Sequence, residues 1–100
     1  MARTRTQGDN KHLQDLTSAE YVHVGASETD KVIRSDDVGL LRVILNTNGG
    51  TVTLRNGDSE VIGIIASDAP ENTYYYGILC TNGLQVDTGA SVDCTIVVDD

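Results

Sequence analysis

Apolar and polar positions alternate in short runs along most of the chain, and the clearest stretch is Val38 to Asp68. It reads VGLLRVILN, a turn, TVTLR, a second turn, and EVIGIIASD. Asn48-Gly49 and Asn56-Gly57 cut the runs, and such dipeptides supply the positive φ angles of tight hairpins. The pattern predicts a three-stranded meander. In its first strand Leu41, Val43 and Leu45 are expected on one face, with Leu40, Arg42 and Ile44 on the other. In the second, Val52 and Leu54 point inward and Thr51, Thr53 and Arg55 outward. The third, Val61 to Ala66, is apolar on both faces, which suits a central strand of a two-layer sandwich or a subunit interface.

Outside that stretch, Glu20 to Val24 alternates and predicts a first strand, with Tyr21 and either Val22 or His23 inward. Asp30 to Arg34 predicts a second. Asp68 to Asn72, holding Pro70, reads as a surface loop. Thr73 to Cys80 predicts a strand, Asn82-Gly83 a turn, Leu84 to Asp87 a strand, and Val92 to Val98 the closing strand. About eight antiparallel strands at 8–12-residue spacing predict an all-β domain, a single small β-sandwich or jelly roll. It is expected over residues 20–100. Residues 1–19 lack strand periodicity and predict an extended or disordered N-terminal arm.

Composition sharpens this. Phe and Trp are absent and Tyr is the only aromatic, so Val, Ile and Leu must build the core, as strands favour. The net charge of −8 is uneven: residues 1–11 carry +2 and residues 12–100 carry −10. An acidic body repels phosphate backbones, so nucleic acid is not an expected partner. Arg3, Arg5 and Lys11, with Leu13 and Leu16, make the arm a candidate for docking on an acidic protein surface. No apolar run is long enough for a membrane helix and no signal-peptide pattern opens the chain, so synthesis and folding in a cytoplasm are expected, without a membrane partner. Cys80 and Cys94 lack metal-ligand spacing and read as buried thiols, with a disulfide between them as the minority alternative, on inward faces shared with Tyr76 and Ile78, and with Val92, Ile96 and Val98 respectively.

Candidate chemistry is sparse. Leu84 to Ser91 contains Asp87-Thr88-Gly89 after an apolar strand, which resembles the active-site loop of retroviral-type aspartic proteases. Those enzymes share one proton between two aspartates from two subunits. In that family the loop lies early, with flap and substrate-covering segments after it; here eleven residues follow Gly89. Asp and Gly are also ordinary turn residues. The protease is therefore a remote alternative. His12 and His23 have no cysteine nearby in sequence and read as neutral filler, and the acidic turns at Asp36-Asp37 and Asn56 to Glu60 lack calcium-loop spacing. No metal or cofactor is expected. Tyr74, Tyr75 and Tyr76 must place rings on both faces of one strand, leaving Tyr75 to anchor a protein contact or stack on a sugar.

The run from residue 38 to 98 resembles short virion proteins of tailed bacteriophages. The likeness rests on Asn46-Thr47, Thr51-Val52-Thr53-Leu54, Thr81-Asn82-Gly83-Leu84-Gln85-Val86 and Thr95-Ile96-Val97-Val98. It implies a non-enzymatic decoration or cement protein on the outer surface of a phage capsid, bound to the major capsid protein. It also implies a homo-oligomer, commonly a trimer, and an arm that crosses subunit boundaries. Leu40, Ile44, Val61, Ile65 and Tyr75 are the candidate interface residues. A head-fibre or tail accessory module that recognises a receptor or glycan is the alternative.

Overall fold

The computed structural model describes residues 19–99. The candidate arm residues Arg3, Arg5, Lys11, Leu13 and Leu16 lie outside the described residues; Ala19, the last residue of the expected arm, already belongs to the first strand. Eight strands follow: β1 (Ala19–Val24), β2 (Lys31–Arg34), β3 (Val38–Thr47), β4 (Val52–Asn56), β5 (Glu60–Ile65), β6 (Thr73–Cys80), β7 (Leu84–Thr88) and β8 (Asp93–Asp99). No helix occurs among the described residues. The strands form two antiparallel four-stranded sheets, ordered β1-β8-β3-β6 and β2-β7-β4-β5. Apart from β4 and β5, each strand is followed by one in the opposite sheet, the alternation of an eight-stranded jelly roll.

The core is aliphatic, as the composition requires. Val24, Leu40, Val43, Leu45, Val52, Leu54, Leu84, Val86, Cys94, Ile96 and Val98 interdigitate between the sheets. Tyr74, Tyr76 and Ile78 pack against this cluster from β6. Cys94, Ile96 and Val98 share the inward face of β8, Val92 is buried just before it, and Cys80 is buried at the end of β6. Both cysteines are free thiols. Cys80 pairs with Val38 and Cys94 with Leu45, so about 23 Å of β3 separates them. That is far beyond the Cα separation a disulfide allows.

The expected meander is corrected. β3 belongs to one sheet and β4 to the other, so only β4 and β5 form a hairpin, with Gly57 at φ 72° in its turn. Asn48-Gly49-Gly50 instead carries the chain between sheets. The Asn48 side-chain amide donates to the carbonyls of Ala66 and Ala69 (3.2 and 2.5 Å), tying this connection to the β5–β6 loop. A Cβ on Gly49 would stand 2.3 Å from Ser91 Cβ, and one on Gly50 2.7 Å from Gly89 Cα. Close backbone approach, not hairpin geometry, demands these glycines. Asn82-Gly83 likewise crosses between sheets. β5 is an edge strand, not a central one, and Tyr21 points outward.

Leu40 and Ile65, two expected interface residues, are core residues, and one cause explains both. Between Leu40 and Arg42 the register of β3 against β8 slips by one residue, so Leu41 is an extra residue. The slip shifts the alternation: Val38 and Leu40 face inward before it, Val43 and Leu45 after it. In β5, Ile62 is extra relative to β4. Val61 therefore stays outward while Ile65 turns in to meet Val52. A one-residue bulge reverses every face assignment beyond it.

Candidate interaction surfaces

Strand register places three rows across the outer face of the β1-β8-β3-β6 sheet. The middle row runs Tyr21, Val97, Arg42, Tyr75; the flanking rows run His23, Thr95, Ile44, Thr73 and Ala19, Asp99, Gly39, Leu79. Tyr75 is 79% exposed and Leu79 64%. The Arg42 guanidinium lies 5.7 Å from the centre of the Tyr21 ring. Its Nη2 also donates to the Tyr21 hydroxyl at 2.9 Å. A cation over a partly exposed ring contributes roughly 0.5–1 kcal/mol and fixes both side chains in the row. Val97, between them, is fully buried although it faces away from the core.

Of the expected outward residues on this sheet, Tyr75 and Ile44 are on the face as predicted, Ile44 half-buried. Tyr74 and Tyr76 turn inward. The Tyr74 hydroxyl donates to the Pro70 carbonyl, and Tyr76 lies over Gly63, where a Cβ would meet its ring at 2.8 Å. Sequence periodicity missed Tyr21 and Leu79 as surface residues.

At one end of this face the Asp93 carboxylate accepts from Asn46 Nδ2 and meets His23 Nε2, each at 3.0 Å. The hydrogen bond from Asn46, then that from His23, hold Asp93 below the usual carboxylate range. A depressed carboxyl contributes stability that is present above its unfolded value, about pH 4, and lost as pH falls through its folded value. Asp93→Asn should therefore flatten the acid limb of the stability profile, read by urea unfolding from pH 5 to below pH 3. An unchanged acid limb would refute that linkage.

The outer face of the β2-β7-β4-β5 sheet carries the row Val32, Gln85, Arg55, Val61, beside a row containing Asp87, Thr53 and Ile64. Val61 is 51% exposed and Ile64 62%. Val61 is outward as expected; Val32 and Ile64 were not singled out by the sequence. Between these apolar side chains Arg55 is almost fully buried. Its Nη2 donates to Asp30 Oδ1 (2.5 Å) and Asp87 Oδ1 (3.0 Å), and its Nη1 to the Asp58 carbonyl (2.6 Å). The hydrogen bond to Asp30 leads in raising the Arg55 pKa. Asp87 Oδ1 also accepts from the Asp30 amide (2.6 Å), at a residue held in the left-handed region at φ 54°.

Each residue of Asp87-Thr88-Gly89 thus has a structural task. Asp87 joins the Arg55 cluster. The Thr88 hydroxyl accepts from the Glu28 amide (2.9 Å) and donates to the Gly25 carbonyl (2.7 Å), pinning the β1–β2 loop. Gly89 donates to Thr51 O and accepts from Ser27 N, and it packs backbone to backbone against Gly50. A protease built on this loop would need Asp87 to leave Arg55 and face its copy in a second chain. Among the described residues no group of three His, Cys, Asp or Glu side chains is arranged to hold a metal ion. Among the described residues, the two outer sheet faces each carry exposed apolar or aromatic side chains around a fixed arginine. No protein-family model and no curated protein matches this chain.

Proposed function

We propose that the protein is a non-enzymatic structural component of a tailed-phage virion, which binds the major capsid protein on the outer capsid surface and reinforces the lattice. The observation that carries this reading is the set of large apolar side chains held outward on stiff strands: Tyr75 and Leu79 on one sheet, Val61 and Ile64 on the other. Exposed apolar groups fixed by a rigid scaffold bind with little ordering cost. The acidic body suits a surface kept clear of nucleic acid during assembly. A ligand that binds only the assembled lattice stabilises it by mass action, as RT ln(1 + [L]/Kd).

Co-sedimentation with purified capsid shells tests this. The full chain is expected to pellet with the shells, and Val61→Asp or Tyr75→Asp to weaken binding about tenfold, as for a desolvated anchor. Removing residues 1–18, with the basic side chains, is expected to weaken it further while leaving the domain folded. A chain that stays in the supernatant contradicts the proposal. The flat Tyr75 ring near Arg42 also suits stacking on a sugar, the reading of a fibre or tail accessory module; a glycan array separates the two.

A further inference from the structure

The four sheet edges are not alike. An edge strand offers unpaired backbone N–H and C=O groups to any other strand, and proteins commonly blunt such edges with bulges, lysines or prolines. In β2, Ile33 is extra relative to β7, and Lys31 opens the strand. In β5, Ile62 is extra relative to β4. In β6 the register slips by one residue against β3 around Gly77, whose φ is 75°. β1 alone keeps unbroken register with its neighbour over all six residues, Ala19 to Val24. It has no lysine and no proline, and among the described residues β8 is its only strand neighbour. Its charged side chain Glu20 is engaged by Arg34 of β2, and His23 by Asp93.

We infer that the β1 edge pairs with β1 of a second copy of this chain, antiparallel about a two-fold axis, joining two four-stranded sheets into one of eight strands. The second copy is the occupant because any other pairing of two edges of this protein brings a bulge to the contact. There the extra residue puts the backbone groups out of step. With the axis perpendicular to the sheet, opposed residues must lie on the same face. The register that opposes Tyr21 with Tyr21 of the second copy meets this condition. It makes the outer row continuous through both copies and places an aromatic pair at the centre, a favourable cross-strand contact. This contact is isologous and closes at two chains, unlike the three-fold arrangement that the family resemblance implies. It does not depend on capsid binding.

Sedimentation equilibrium of the full chain at about 100 µM, where a small interface of this kind is populated, tests the pairing. The expected mass is twice the 10.7 kDa of the chain. Tyr21→Glu, which opposes like charges at the axis, should return it to one chain, while Tyr75→Glu on the far edge of the same face should not. If Tyr21→Glu fails to fold, mild oxidation of Tyr21→Cys decides: a reducible two-chain product is expected, with none from Tyr75→Cys at the same concentration. A one-chain or three-chain mass for the unaltered protein would overturn the inference. So would equal behaviour of the Tyr21 and Tyr75 variants, or a two-chain mass that appears only after removal of residues 1–18.

Discussion

Leu40→Ala is expected to destabilise the domain by about 3 kcal/mol, as for other fully buried leucines cut to alanine, which for a domain of this size lowers the Tm by about 15 °C. Leu40 is fully buried, facing Val98 of β8 on one side and Ile78 of β6 on the other. Truncation removes apolar contacts on both sides, and the paired strands cannot close the gap without moving the Leu41 bulge. Leu79, on the outer face of the same sheet and 64% exposed, is the control: Leu79→Ala should change stability by less than about 0.5 kcal/mol. Urea unfolding of the two variants measures the difference. Equal effects would mean that Leu40 faces solvent, as simple alternation from Val43 predicts, and would refute the bulge.

Arg55→Ala should cost about 2 kcal/mol. Removing one partner of a buried ion pair costs roughly 3–5 kcal/mol, because the other charge is left unpaired. The discount here comes from the carboxylates. Asp30 and Asp87 side chains are 65% and 36% exposed, so water recovers part of the loss. What it does not recover is the Asp58 carbonyl contact and the bracing of Asp30 in its left-handed conformation. Arg55→Lys should restore little, since a single ammonium cannot reproduce the two-armed contact. In the Arg55→Ala background, Asp87→Asn should cost much less than it does alone, the mark of coupled neighbours. Additive effects in the double variant would contradict the cluster.

Strand number, strand limits within a residue or two, and the mainly aliphatic core were legible in the sequence because alternation and turn residues record them directly. The β4–β5 hairpin, the outward Tyr75 and the buried thiols followed from the same pattern. The pairing of strands across the two sheets did not. Asn56-Gly57 and Asn82-Gly83 both place glycine at positive φ, yet the first turns a strand back on itself and the second sends it across the sandwich. The dipeptide fixes the bend, while the destination depends on what packs against it. At Gly83 a Cβ would lie 2.5 Å from the Arg34 carbonyl, a distant neighbour that local sequence does not announce.

The bulges at Leu41 and Ile62 were equally silent, since an inserted apolar residue looks like any other in an apolar run. They moved Leu40 and Ile65 from surface to core and so altered the candidate interaction faces. The Asp87-Thr88-Gly89 motif was ambiguous in the sequence. Its residue types suit a catalytic loop, but the same types also suit an ion pair, a loop clasp and a close backbone crossing. Only the positions of Arg55, Glu28 and Gly50 in space reveal those structural contacts.

The claim that the molecule acts by contact and not by chemistry is tested most directly by electron cryomicroscopy of capsids prepared with and without this chain. The expected result is added density of jelly-roll size on the outer shell, touching the coat protein through one of the two outer sheet faces. Identical maps, or density for this chain only inside the shell, would contradict the account.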